Sequence, residues 1–138
     1  MLVGVDHVGI AVRSLEQAIA FYQSLGMVLE AQGEVPHEGV FVAFLACGPT
    51  KIELVAPASS DSSLGRFLDT HGPGLHHICL RSTDLAADDA RLRGAGCRLV
   101  RNEPTDAGDG CLTQFIHPLS SGGVLIELQQ AIVPDGAP

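Results

Sequence analysis

GPGLHHICL, residues 72–80, decides the fold, because its His77 has a counterpart 70 residues earlier, at His7 in VDHVGIAV, residues 5–12. With those two histidines aligned, a leucine follows eight residues later in each half (Leu15, Leu85) and a glycine eleven after that (Gly26, Gly96). Each half then ends in a lone carboxylate between apolar neighbours, Ile52-Glu53-Leu54 and Ile126-Glu127-Leu128. The histidine-to-carboxylate spacing is 46 in the first half and 50 in the second, as expected for a duplicated module in which one loop has changed length.

The pattern within each half predicts strand, helix, then three strands. Residues 3 to 12 alternate as a strand, with Val8, Ile10 and Val12 toward a helix layer and Val5, His7, Gly9 and Ala11 on the other side. Ser14 is a good N-cap with Gln17 three residues on, and Leu15, Ala18, Ile19, Tyr22 and Leu25 share a helical face that Gly26 closes. Strands at 27–35, 39–47 and 50–56 follow, the first two joined across Pro36-His37-Glu38-Gly39. A polar connector and a short linker helix, about 61–72, lead to the second copy. There the order recurs: a strand at 74–81, an Asp84-capped helix over 85–95 whose apolar face Asp88 and Asp89 interrupt, and strands near 97–101, 111–117 and 123–130. The tail from Ile132 reads as frayed. Module one therefore covers about 1–57 and module two about 73–131, within a single domain spanning 1–138.

Composition bounds the function. A net charge of −8 argues against nucleic acid or an anionic membrane surface as partner, since both demand concentrated Lys and Arg. Five of the eight basic residues, Arg81, Arg91, Arg93, Arg98 and Arg101, fall within 21 positions, which reads as solvated surface or an anion-binding rim. Cysteines 47, 79, 97 and 111 form no C-x-x-C pair and suit small buried apolar roles in a reducing compartment. The start, MLVGVDHV, has no leader pattern, and no apolar run reaches membrane-span length, so the expected location is the cytoplasm.

Alternation places Glu53 and Glu127 opposite the apolar residues that pack beneath helices, on the same helix-free face as His7 and His77. A carboxylate on a mostly apolar face is costly unless paired or bound to metal. A single histidine or glutamate so placed usually has a structural role. Two of each at repeat-related positions instead predict one N,O site for a divalent transition metal, held by His7, Glu53, His77 and Glu127, with two adjacent positions open to water or substrate. His76 should point the opposite way, and His37, His71 and His117 suit surface or structural roles.

At these residues the chain resembles the vicinal-oxygen-chelate superfamily (glyoxalase, bleomycin resistance, dioxygenase) and, within it, the methylmalonyl-CoA epimerases. The resemblance is carried by VDHVGIAV, EVPHEGVFVAFL, KIELVAP, GLHHICL and FIHPLSSGGVLIELQQ, in order and nearly to residue 130. It implies an α+β fold: two tandem βαβββ modules forming a cupped, incompletely closed mixed β-barrel with helices outside, in a homodimer. It also implies metal ligation by His7, Glu53, His77 and Glu127, with Glu53 where some members carry glutamine. The implied reaction is epimerisation of methylmalonyl-CoA at its α-carbon, through an enolate that the metal stabilises. Glu127 is the implied catalytic acid/base, an acyl-CoA the partner, and cobalt the first choice of metal ahead of manganese, nickel or zinc. Where a second proton-transfer glutamate stands in two-base epimerases, this chain has Val42, which leaves Glu38, His117, a water or reuse of one carboxylate for that role.

A glyoxalase-I-type lactoylglutathione lyase would use the same four ligands; the stretches outside them favour the epimerase. An extradiol dioxygenase needs only two histidines and one carboxylate on iron. A metal-free small-molecule-binding resistance protein would need no ligands and would line its cleft with aromatics, of which this chain has six.

Overall fold

The structure, a computed structural model, describes residues 1–132; the tail expected to fray lies largely outside the described residues, from 133 onward. The architecture is α+β, and the chain divides into two compact units. One is His7–His76; the other combines Met1–Asp6 with His77 onward. The boundary falls inside the first strand, so the first six residues belong with the second copy.

In the first unit, β1 (Leu2–Ala11) is followed by α1 (Leu15–Ser24), β2 (Val28–Val35), β3 (Val40–Cys47), β4 (Thr50–Pro57) and α2 (Ser63–His71). β1 runs parallel to β4, while β4 with β3 and β3 with β2 are antiparallel. Helix α1 begins where the sequence says it should: the Ser14 hydroxyl accepts the Gln17 N–H at 3.2 Å, satisfying one of the amides a helix start leaves unpaired. Its inner face packs Leu15, Ala18, Ile19 and Tyr22 on Ile10, Val12, Ile52 and Leu54. Leu25, expected on that face, is 59% exposed, because it is the C-cap and the chain is already turning at Gly26. Between β2 and β3, Pro36–Glu38 form a 3-10 turn ending at Gly39, whose φ of 68° explains the glycine.

The opposite face of this sheet is not free of helices as expected. Helix α2 covers one end of it, packing Leu64 and Leu68 on Ala11, Val40 and Val55, with Val35, Val42 and Phe67 around them. That helix crosses its own connector closely at Gly65, where a Cβ would lie 2.5 Å from the Ser60 carbonyl oxygen.

The second unit repeats the plan. β5 (Gly74–Ser82), α3 (Leu85–Gly94), β6 (Thr105–Asp106), β7 (Cys111–Ile116), α4 (Pro118–Ser121) and β8 (Leu125–Ala131) follow one another. β5 is parallel to β8, and β8 with β7 and β7 with β6 are antiparallel. Leu85, Leu99, Ile116 and Leu128 form its core, with Leu80, Leu92 and Ile126 packed against them.

Two expectations need correcting. Residues 97–101 are not a strand: only Leu99 forms an isolated bridge, to Ile116. Side chains take the backbone groups a ladder would use at Arg101. The Gln114 carboxamide accepts the Arg101 N–H at 3.2 Å and donates to its carbonyl at 3.0 Å. The edge strand is instead the short β6. Nor do Asp88 and Asp89 merely weaken α3. Both are buried and bonded, Asp88 to Ser82 at 2.5 Å and Arg91 at 2.9 Å, Asp89 to Arg93 at 2.7 Å and Gln114 at 2.8 Å. A helix whose inward face carries aspartates packs by a satisfied polar network as well as by Leu85 and Leu92. No helix among the described residues is long and apolar enough to cross a membrane.

Candidate functional site

Strand register places the four candidate residues. In the first unit Gly9 lies beside Glu53, so the carboxylate stands next to the residue two positions after His7. In the second, Cys79 lies beside Glu127, again two positions after His77. Same-side neighbours on parallel strands share a face, and each histidine is therefore diagonal to its glutamate on one face. The side chains close that gap: His7 Nε2 is 3.8 Å from Glu53 Oε2, and His77 Nε2 is 3.3 Å from Glu127 Oε2. Within each unit the structure pairs one of the histidines with one of the glutamates, Nε2 toward a carboxylate oxygen in both.

Burial sharpens their meaning. His7 is 2% exposed and His77 6%, while the glutamate side chains keep slightly more exposure, 12% and 14%. Desolvating a carboxylate and an imidazole together is unfavourable unless a shared cation or proton compensates both. The donor set tests well against a divalent metal: bonds of about 2.1 Å put adjacent ligand atoms roughly 3 Å apart around the ion, close to the His77–Glu127 separation. Closing the His7–Glu53 pair to that distance needs less than an ångström of side-chain movement. Imidazole nitrogen with carboxylate oxygen is the donor chemistry of manganese, cobalt, nickel and zinc sites.

Two further residues flank the pairs, and the sequence reading missed them. Phe44 lies directly across from Glu53 on β3, and Phe115 directly across from Glu127 on β7. The His7 and Phe44 rings meet edge-on, centroids 5.5 Å apart at 84°. Phe115 carries the Arg101 guanidinium 5.2 Å above its ring. A phenylalanine on the strand before each glutamate was the available signal; the unequal spacing to Glu53 and Glu127 hid it.

Beyond Glu127 on the same strand face, the Gln129 carboxamide accepts from the Cys79 thiol at 3.2 Å and donates to Cys111 Sγ at 2.8 Å. Burial pushes the Cys111 thiol pKa up, against that hydrogen bond from Gln129. Cys47, expected to be buried, is exposed.

The other histidines take structural positions. His76 packs edge-on against Phe67 at 4.8 Å, and His71 stacks on the same ring at 4.6 Å. His117 caps α4, its Nδ1 accepting the Leu119 N–H at 3.1 Å. His37 is exposed on the 3-10 turn, 3.9 Å from Glu38. Val42, opposite Val55, packs in the apolar cluster under α2. Within the arginine cluster, Arg91 and Arg93 are salt-bridged to Asp88 and Asp89, and Arg101 donates to the Thr105 and Thr113 hydroxyls at 2.7 and 2.9 Å. Those three serve the packing of the second unit. Arg81 lies 3.9 Å from Asp6.

Comparison with known proteins adds independent findings. Residues 6–115 match the model of the Glyoxalase/Bleomycin resistance protein/Dioxygenase superfamily. The chain is 38% identical over 128 residues to the mitochondrial methylmalonyl-CoA epimerase of Homo sapiens, covering 91% of this chain and 73% of that protein. It is 38% identical over 133 residues to the ethylmalonyl-CoA/methylmalonyl-CoA epimerase of Cereibacter sphaeroides, covering 94% and 99%. Among solved structures, the methylmalonyl-CoA epimerase of Mycobacterium tuberculosis superposes with a TM-score of 0.90 at 40% identity, covering 96% of this chain and 90% of that one.

Proposed function

The chain belongs to the Glyoxalase/Bleomycin resistance protein/Dioxygenase superfamily, and from its likeness to the methylmalonyl-CoA epimerases within it we propose that it inverts the α-carbon of methylmalonyl-CoA. It is an epimerase acting on an acyl-CoA, as the named relatives are. The observation that carries the site assignment is the doubled His/Glu geometry, which a fold-only role would not need twice.

The reaction exchanges one proton. The α-hydrogen lies between a carboxylate and a thioester carbonyl; its loss leaves an enolate, and a proton returned to the opposite face gives the other epimer. His7, Glu53, His77 and Glu127 are the residues assigned to hold a divalent metal, cobalt first, with manganese, nickel and zinc suited to the same donors. When bound, that ion supplies Lewis-acid stabilisation of charge growing on the substrate oxygens. Glu127 accepts the α-proton through a carboxylate oxygen. Its partial exposure supports that role, because a base must reach hydrogen-bond distance of the substrate. The apolar packing of Val42 supports a second proton-transfer group elsewhere than at that position. A homodimer is the proposed assembly and the cytoplasm the proposed location.

The test is a coupled stereospecific assay. Supplied with one epimer of methylmalonyl-CoA, the cobalt-loaded protein should produce the other; lactoylglutathione formation from the methylglyoxal–glutathione hemithioacetal, without epimer interconversion, would replace this reading with a lyase.

A further inference from the structure

The arginines crowded between residues 81 and 101 differ in what they touch. Arg91 and Arg93 bind aspartates of their own helix, Arg101 binds the Thr105 and Thr113 hydroxyls, and Arg98 lies beside the end of β7, its carbonyl accepting the His117 N–H. Arg81 stands on the face that carries Glu127. It pairs with Gln129 across β5 and β8, two residues along from the pairing of Cys79 with Glu127. Alternation puts both pairs on one side of the sheet, in rows about 7 Å apart.

The contacts of Arg81 are long. Nη1 is 3.9 Å from Asp6 Oδ1, Nη2 donates to the Val5 carbonyl at 3.5 Å, and the side chain is 47% exposed. Contacts of that length at that exposure hold a side chain weakly, so turning the guanidinium toward a better acceptor costs little. Gly4 of β1 makes room for it: a Cβ there would stand 3.3 Å from Nη2, tighter than ordinary packing. Asp6 ties the guanidinium to the site, because one of its carboxylate oxygens lies within 4.8 Å of Cys79 Sγ, and Cys79 is the neighbour of Glu127. All of these residues belong to the second unit.

A guanidinium at that place fits one part of the substrate. The free carboxylate of a methylmalonyl thioester is bonded to the α-carbon from which Glu127 takes the proton, whereas the phosphates of CoA stand off by the whole pantetheine arm. A carboxylate offers two oxygens and about four lone-pair sites, so a guanidinium can bind it while another cation shares it. On the acyl-CoA epimerase reading above, we infer that Arg81 is a substrate-binding residue: it takes this carboxylate and makes the site select malonyl-type thioesters over simple acyl ones.

Arg81→Gln tests this against three ligands. They are methylmalonyl-CoA, methylmalonyl-pantetheine, which lacks the nucleotide and its phosphates, and propionyl-CoA, which lacks the free carboxylate and is measured as a competitive inhibitor. KM for both methylmalonyl thioesters should rise roughly 10–100-fold, the range for losing a hydrogen bond to a charged group, with kcat little changed. The inhibition constant of propionyl-CoA should stay as in the wild type. Arg81→Lys keeps the charge and loses the planar fork, and its KM should fall between the two. An active wild type whose KM is unchanged in Arg81→Gln would overturn this inference alone. So would weaker binding of both CoA thioesters with methylmalonyl-pantetheine spared, which would assign Arg81 to the phosphates. Equal losses on all three ligands with a lowered melting temperature would also overturn it, in favour of a structural role. A wild type that leaves methylmalonyl-CoA unchanged would overturn it together with the functional reading.

Discussion

At the residue scale the proposal concentrates on Glu127, whose carboxylate is asked both to bind and to move a proton. Glu127→Gln keeps an oxygen donor and removes the base. The expected result is epimerisation slowed by about 10²–10⁴-fold, the range for losing one acid/base group, with metal still bound. Turnover in the coupled assay and metal content by elemental analysis check the two parts; a metal-loaded variant with full activity would remove Glu127 from proton transfer. The four candidate residues were legible as candidates because histidine and glutamate are conspicuous on apolar strands and recur in register. Phe44 was not, because a phenylalanine in an apolar strand looks like any core residue until its neighbour across the sheet is known. Gln114 was hidden for a different reason. Its fully buried carboxamide replaces ladder bonds at Arg101, and nothing in local periodicity distinguishes such a glutamine from a surface one.

At the scale of elements, packing reverses two ordinary propensity arguments. Alanine in place of a helical glycine usually stabilises by about 1 kcal/mol. At Gly65 of α2 the added Cβ would meet backbone atoms of Ser60 at 2.5 and 2.9 Å, which can yield only if the connector shifts. Gly65→Ala is therefore expected to destabilise by roughly 1–3 kcal/mol, the usual cost of overpacking, measured by urea unfolding. A gain in stability would show that the connector moves readily. Helix α3 makes the second case. Its aspartates resemble surface residues by composition, yet Asp88 is almost fully buried beneath Ser82, Arg91 and the Met1 ammonium. Burial pushes its pKa upward, and the hydrogen bonds from Ser82, Arg91 and the terminal amine outweigh that and hold it down at about 2. A folded pKa below the unfolded value of 3.8 means that the stabilisation is complete above pH 4 and is lost as pH falls toward 2. The amount at stake is about 2 kcal/mol. Unfolding free energies measured between pH 5 and 2 should fall less steeply for Asp88→Asn than for wild type, and parallel curves would contradict the assignment. The starts of α1 and α3 were readable because the caps Ser14 and Asp84 announce them; the failed strand at 97–101 was not, because tertiary side-chain bonds decide it.

At the scale of the whole molecule, duplication was the most legible feature. Two modules of strand, helix and three strands emerged from the spacing of a few residues, and the strands of both units follow that order with the same pairing pattern. What spacing could not reveal is how the units share the chain, since the first six residues belong with the second copy, or that α2 covers part of the face carrying His7. The central claim is that the doubled His/Glu geometry serves metal-assisted proton exchange at an α-carbon. It is tested most directly by NMR in deuterium oxide, following the α-proton of methylmalonyl-CoA with metal-stripped protein and again after cobalt is added. The account predicts little exchange without metal and rapid loss of the α-proton signal with cobalt. Confirmed cobalt binding with no exchange would contradict it.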